Sequence, residues 1–333
     1  MLRGGAMMAD MKYRKLGRTG FEVSEIGYGA WGIGGVQWMG GTDDESLRAV
    51  KRAIELGLNF IDTALAYNDG HSERLVGAIV REARRSIRVA TKVPPKNLLW
   101  PARRGIGIDQ VFPYDHVIQS TETSLKNLGL DTIDVQQFHV WNPEWIGREE
   151  WRRAFEDLKK AGKVRAVGVS INDHDPESAL ELVKTGLVDT VQVIYNIFDQ
   201  SPERSLFPLA HELNVGVIAR VPLDEGGLAG AINEDTSFAP GEFRAGYFRG
   251  DRKKQVVEHV NALKRDLEGV ADGSLAEIAL RFAISHPAVS TVIPGMRRVC
   301  NAEANTEVSE KGPLDERTLA VLRRHVWARN FYD

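Results

Sequence analysis

Eight short runs of β-branched and aromatic residues alternate with amphipathic stretches along this chain, and that alternation leaves few folds open. The runs are Glu25 to Gly29, Asn59 to Ile61, Ile87 to Thr91, Ile133 to Phe138, Val164 to Val169, Thr190 to Ile194, Val215 to Ala219 and Ser290 to Ile293. Helical spacing fills the intervals, with a helix from about Asp44 and others over Ser72 to Arg84, His116 to Asn127, Glu149 to Ala161 and Pro176 to Thr185. Val117, Thr121, Leu125 and Leu128 show the apolar stripe. Parallel strands need a crossover connection, which a helix supplies, so this order predicts a parallel α/β sheet. Eight units predict a (β/α)8 barrel of the TIM type.

Other segments fit around that barrel. Lys12 to Leu16, the turn Gly17-Arg18-Thr19-Gly20, and Phe21 to Val23 predict a hairpin that plugs one end. Pro313 to Asp333 predicts one more helix after the eighth unit. Pro94 to Asp115 and Pro222 to Arg249 are longer than a connection requires, and both follow strands on the same face. Such segments are expected as lids over a pocket. No repeat, low-complexity tract or linker divides the 333 residues, so 1–333 reads as a single domain with 1–11 a frayed leader.

Composition narrows the partners. The net charge is -3 and the basic residues are scattered, so there is no electrostatic case for nucleic acid or an anionic membrane surface. Cys300 is the only cysteine, which excludes an internal disulfide and a cysteine-rich zinc site and suits a reducing compartment. A cytoplasmic protein with a small-molecule substrate and no metal is expected. Met1 to Met11 lacks a signal-peptide core, and no uncharged apolar run has the length of a membrane span.

Four side chains that manage protons fall at or just past the ends of three consecutive runs: Asp62, Tyr67, Lys92 and His139. In a barrel of this type the carboxyl ends of the strands face one pocket. A tyrosine hydroxyl is a poor acid, with a pKa of about 10. A neighbouring ammonium favours the phenolate, and a carboxylate paired to that ammonium holds it charged. Lys92 and Asp62 are therefore expected to lower the Tyr67 pKa, and a neutral His139 to hydrogen-bond a substrate oxygen. Singly, each has a structural reading as a cap, a packing residue or a bystander; their joint placement suits carbonyl reduction.

The chain resembles the bacterial aldo-keto reductases over nearly its whole length. The motifs are Asp62-Thr63-Ala64 with Tyr67 following, Ala90-Thr91-Lys92, Gln137-Phe138-His139, Gly168-Val169-Ser170, Val191-Gln192 with Tyr195-Asn196, and Ile293-Pro294-Gly295. The resemblance implies a barrel that binds extended NADP(H) without a Rossmann domain. It implies Tyr67 as general acid, tuned by Lys92 and Asp62, with His139 orienting the substrate. It places Ser170 and Gln192 at the nicotinamide carboxamide; the family's next asparagine is here Ile171, with Asn172 one place later. Gly226, Gly227 and Leu228 correspond to the segment over the pyrophosphate, Gly295 to Arg298 to the stretch at the 2′-phosphate, and Asn301 and Asn305 to the adenine contacts. Adjacent guanidiniums at Arg297 and Arg298 suit a phosphate and favour NADPH over NADH. A helix beginning near Cys300 would add free N–H groups. The other reading of that stretch is a solvated basic turn.

Arg220 stands where many members carry an aromatic that stacks on the nicotinamide. Three roles are open: stacking on that ring, pairing with an anionic substrate group, or a salt bridge to Asp224 or Glu225. Trp31, Trp100 and Trp141 are expected to wall a substrate pocket. The expectation is thus an NADPH-dependent reductase of aldehydes or ketones, sugars included, acting by direct hydride transfer with Tyr67 as proton donor. Two alternatives are a cofactor-sensing binding subunit, as some family barrels are for ion channels, and a redox-neutral sugar epimerase or dehydratase that uses NADP transiently.

Overall fold

The computed structural model describes residues 10–35 and 37–327. Two antiparallel strands come first, β1 (Tyr13–Lys15) and β2 (Glu22–Ser24), with Tyr13 opposite Ser24. Eight parallel strands follow: β3 (Tyr28–Gly29), β4 (Phe60–Asp62), β5 (Arg88–Val93), β6 (Ile133–Phe138), β7 (Val164–Ser170), β8 (Thr190–Ile194), β9 (Gly216–Arg220) and β10 (Val289–Val292). Each pairs with the next, and bridges from Ile26 to Val292 and from Gly29 to Gly295 join the last to the first. This is the (β/α)8 barrel that the alternation predicts. The strands β4, β5, β7 and β9 run a residue or two beyond their expected ends. Asp62, Lys92, Ser170 and Arg220 are therefore held by sheet hydrogen bonds rather than by loops.

The first helices are α1 (Asp43–Glu55), α2 (His71–Glu82), α3 (Ile108–Val111), α4 (Tyr114–Leu128), α5 (Glu149–Lys160) and α6 (Leu180–Thr185). After them come α7 (Leu206–Glu212), α8 (Phe243–Tyr247), α9 (Arg252–Leu267), α10 (Leu275–Ser285), α11 (Val299–Lys311) and α12 (Glu316–Leu322). Short polar side chains start several of them. Thr42 accepts from the Glu45 N–H at 3.2 Å, Ser274 from Glu277 at 3.2 Å and Asp315 from Thr318 at 2.7 Å. Each supplies an acceptor to an N–H that has none within the helix. The acids Asp43, Asp44 and Glu45 add negative charge at the positive end of α1. None of the helices among the described residues is long and apolar enough to cross a membrane.

Two apolar cores result from strand alternation, since successive side chains point to opposite faces. The larger lies between strands and helices and includes Ile61, Val89, Val167, Val191 and Val217. The smaller lies inside the barrel, where Phe60, Ala90, Val135, Ala166, Ile218 and Ile293 meet Leu16, Phe21 and Val23 of the β1–β2 hairpin. The hairpin is thus a plug, as expected. Its turn is fixed by Gly17 at φ +49°, whose backbone approaches β9 so closely that a Cβ would stand 2.2 Å from the Gly216 nitrogen.

Two expectations at the chain ends change. Residues 1–9 of the expected leader lie outside the described residues, but Met11 is buried against Gly57 and belongs to the main core. The tail is not one long helix: α12 ends at Leu322 and a single 3-10 turn, Arg323–His325, follows. Trp327 draws the chain away, its N–H donating to the Phe198 carbonyl at 2.9 Å and its ring stacking 4.4 Å from His259. Residues 328–333 lie outside the described residues.

The plug yields a stability prediction. Leu16 has no solvent exposure, so Leu16→Ala is expected to cost about 2–5 kcal/mol through lost transfer energy and an unfilled cavity. Urea unfolding measures it, and a loss below about 0.5 kcal/mol, the scale of surface changes, would show that the plug is not packed as described.

Candidate active site

The pleat that points Phe60, Ala90, Val135, Ala166 and Ile218 inward also points inward the residues two positions on. Those are Asp62, Lys92, Gln137, Gly168 and Arg220. A polar layer thus sits directly on the apolar one, with Lys92 paired in register to Gln137. Lys92 and Asp62 are an ion pair with side chains only 1% and 2% exposed. The Lys92 ammonium also donates to the Thr63 carbonyl at 2.8 Å and lies 3.4 Å from the Tyr67 hydroxyl. The second Asp62 oxygen accepts from the Gln192 amide at 2.8 Å and the Gln137 amide at 3.1 Å. All three ammonium hydrogens and both carboxylate oxygens have partners, which a buried pair requires.

Tyr67 reaches this pair from a loop with an unusual backbone. Asn68, Asp69 and Gly70 follow it at φ of 50°, 47° and 71°, a left-handed run that Asn, Asp and Gly tolerate better than other residues. At Gly70 a Cβ would stand 2.1 Å from the Asn127 side-chain nitrogen. The start of α2 then clamps the strand ends from behind. Ser72 donates to the Ala30 carbonyl at 2.8 Å and shares a 2.9 Å hydrogen bond with Thr63. Buried Glu73 accepts from the Thr91 hydroxyl at 2.6 Å and from Asn127 at 2.9 Å.

Charge states follow from these surroundings. Burial pushes the Tyr67 hydroxyl above the ordinary phenol value; Lys92 pulls it down but does not prevail. This corrects the expectation that Lys92 lowers it, because loss of water around the phenolate outweighs one neighbouring cation. For Lys92 burial works downward, yet Asp62 and Tyr67 together carry its pKa above the usual value. His139 is held well below an ordinary histidine, by burial first and then by the charges of Lys92 and Arg220. It stands edge-on to Tyr67, ring centres 5.7 Å apart, with Trp100 5.8 Å away. Trp31 lies parallel to Tyr67 at 6.1 Å.

Tyr67 and His139 open into a cavity of about 680 Å³, within the range of small-molecule and cofactor sites. Both long segments line it, through Trp100 and Pro101 and through Leu223, Gly226 and Arg244. A third segment closes over it. The Phe243 N–H donates to the Gln37 carbonyl at 3.0 Å, Trp31 packs 4.6 Å from Phe243, and Arg297 donates to the Trp38 and Met39 carbonyls at 3.1 and 2.8 Å.

Of the expected cofactor residues, Ser170, Gln192, Arg220, Gly226, Gly295, Arg297 and Asn301 line the cavity. Others do not. Leu228 is fully buried in the main core, and Gly227 packs against the Asp224 carboxylate. Asn305 lies on the buried side of α11, and exposed Arg298 reaches Glu45 at 3.7 Å. Trp141 is no part of the wall: it is buried against Trp145 and Trp151, 5.8 and 5.6 Å away, the latter on α5. Trp31 and Trp100 do line the cavity.

Asn172 is committed elsewhere, exchanging hydrogen bonds of 3.2 and 3.1 Å with the Ala102 backbone. Arg220 pairs with Asp173 and donates to the Ile171 carbonyl at 2.9 Å, a partner that none of its expected roles named. Asp224 is buried instead against Arg252 at 3.1 Å and the Tyr247 hydroxyl. Sequence reasoning missed Asp173 and Arg244, and quoted Gln137 in a motif without giving it a role. The signal for Gln137 was a polar residue interrupting an apolar strand.

The donor set fits a nicotinamide dinucleotide. An amide and a hydroxyl, Gln192 and Ser170, line the same cavity as Tyr67, as do Arg297 and Asn301. Burial, and then the adjacent Arg244, lower the Arg297 pKa, a crowding of positive charge that an anion relieves.

A pH prediction follows for His139. As pH falls through about 6.5 the unfolded histidine takes up a proton, while the folded one does so only at lower pH. The unfolded state then binds more protons, so this group lowers stability as pH drops below about 6.5. In NMR the His139 ring is expected to show no transition near that value; a midpoint at 6.5 would contradict its burial.

Comparisons with known proteins agree with the geometry. The model of the Aldo/keto reductase family matches residues 25–326. Aldo-keto reductase YhdN of Bacillus subtilis (strain 168) is 31% identical, covering 90% of this chain and 89% of its own. The NADH-specific methylglyoxal reductase of Escherichia coli (strain K12) is 31% identical over 74% of this chain and 78% of its own. Among solved structures, the holo form of aldo-keto reductase AKR11C1 from Bacillus halodurans superposes with a TM-score of 0.76 at 27% identity, covering 96% and 97% of the two chains.

Proposed function

The chain belongs to the aldo/keto reductase family, oxidoreductases that act on carbonyls with a nicotinamide cofactor, and from that premise we propose that it reduces an aldehyde or ketone, sugars included, using NADPH. The observation that carries this reading is the buried Lys92 with its three partners, Asp62, Thr63 and Tyr67. When bound, the reduced nicotinamide supplies hydride to the carbonyl carbon. The protein supplies the proton. Tyr67, kept protonated by its raised pKa, donates to the carbonyl oxygen, and Lys92 stabilises the phenolate left behind. Asp62 holds the ammonium charged and in place. Neutral His139 donates a hydrogen bond to the same oxygen and so aims the carbon.

Ser170 and Gln192 are assigned to the nicotinamide carboxamide, with the Gln192 nitrogen already engaged by Asp62 and its oxygen offered to the ligand. Arg297 is assigned to the 2′-phosphate, with Arg298 at the rim. The Escherichia coli relative is named for NADH, so cofactor choice is tested directly. A cytoplasmic location suits the single exposed Cys300.

A panel of carbonyls with NADPH, followed by absorbance of the reduced nicotinamide, tests the reading. Binding without turnover across the panel would favour a sensing subunit, and product formed without net loss of NADPH a redox-neutral reaction. Tyr67→Phe is expected to lower kcat by about 100- to 10,000-fold, the usual worth of general acid catalysis, with cofactor affinity little changed. Near-native turnover in that variant would remove Tyr67 from the role. Lys92→Met is expected to cost as much and to shift the pH profile; a slower enzyme with an unmoved profile would mean a packing role for Lys92.

Arg297→Ala is expected to weaken NADPH about tenfold or more, since charge-assisted hydrogen bonds contribute roughly 1.5–3 kcal/mol, and to weaken NADH far less. Fluorescence titration with both cofactors measures this, and equal weakening would overturn the phosphate assignment.

A further inference from the structure

The end of the cavity beside Tyr67 and His139 carries a guanidinium. Arg220, the last residue of β9, lines the cavity with both, and its charge acts on both. An unopposed guanidinium there would draw a carboxylate into paired, charge-assisted hydrogen bonds. Arg220 is opposed. It forms an ion pair with Asp173 and donates to the Ile171 carbonyl at 2.9 Å, the two side chains being only 18% and 15% exposed. Asp173 lines the same cavity.

A second guanidinium of the lining is paired as well. Arg244 is paired with Glu242. The Glu225 carboxyl is pushed up to about 8 by burial and by Asp224 and Asp173, against the pull of Arg220 and Arg244, so it is largely uncharged at neutral pH.

We propose that Asp173 determines substrate class: by pairing Arg220 it leaves the substrate end of the cavity electrically neutral and selects uncharged carbonyl compounds over those bearing a carboxylate. The inference rests on the reductase reading of this site. A carboxylate that enters must displace Asp173 or lie beside it away from water, and either costs free energy. An uncharged substrate meets neither penalty.

The test compares para-carboxybenzaldehyde with its methyl ester, which differ in charge at one position. The native enzyme, with no variant needed, is expected to favour the ester in kcat/KM by about tenfold or more, and Asp173→Asn to shift the acid-to-ester ratio toward the acid by about tenfold, the scale of one charge-assisted hydrogen bond. Calorimetric titration with benzoate, which is not reduced, gives a second readout. Benzoate is expected to bind Asp173→Asn about tenfold more tightly than the native protein, again on the scale of one charge-assisted hydrogen bond. It is expected to lose that gain when Arg220→Met is added. A native enzyme that prefers the acid overturns the proposal, as do an unmoved ratio and unmoved benzoate affinity in Asp173→Asn. If neither aldehyde is reduced, the benzoate titration decides the role of Asp173, and the reductase reading stands or falls separately with the carbonyl panel.

Discussion

Burying an ammonium ion costs several kcal/mol unless its charge and its hydrogens are matched, and Lys92 is buried at the centre of this barrel. The matching reaches into several elements. Asp62 and Thr63 come from the end of β4, and Tyr67 from the loop beyond it. Asp62 in turn is held by Gln137 from β6 and Gln192 from β8. Ser72 and Glu73 at the start of α2 fix Thr63 and Thr91, the neighbours of Asp62 and Lys92 in sequence. Displacing any one of these leaves a buried polar group unpaired, so the site and the upper half of the barrel stand or fall together.

The same constraint explains the layering. Polar residues at the axis need a dry floor to be worth pairing, and the β1–β2 hairpin provides it through Leu16, Phe21 and Val23. Above them the sheet register decides who meets whom: Lys92 faces Gln137 because β5 and β6 pair in that register. A slip of one residue would turn the whole polar layer toward the helices.

Much of this was legible in the chain. β6 and β8 match their expected bounds although Asp134, Gln136 and Gln137 break the first and Gln192 the second. Asp62, Lys92 and His139 were legible because each ends or follows an apolar run, and Tyr67 because it stands five residues past Asp62. Gln137 was not, since inside a strand it looks like a flaw in the run rather than a partner for a carboxylate 75 residues away. Asp173 escaped for a related reason: the charges near Arg220 in sequence are Asp224 and Glu225, whereas Asp173 is 47 residues back, brought close across the end of β8, which lies between β7 and β9. Trp141 and Leu228 were misplaced because periodicity ends with the strand, and beyond it the direction of a side chain depends on the turn. The net pKa of Tyr67 depends on how much water the fold removes, a quantity that no local pattern encodes.

The plug has a consequence for how protons are resupplied. One end of the barrel is sealed by packed hydrocarbon, and the polar layer opens to the cavity at the other. In the proposed mechanism, a proton given up by Tyr67 is replaced through this cavity, which Trp31 and Trp100 line. Recharging the donor and emptying the site therefore share one passage, and a bulky product retained there would delay both.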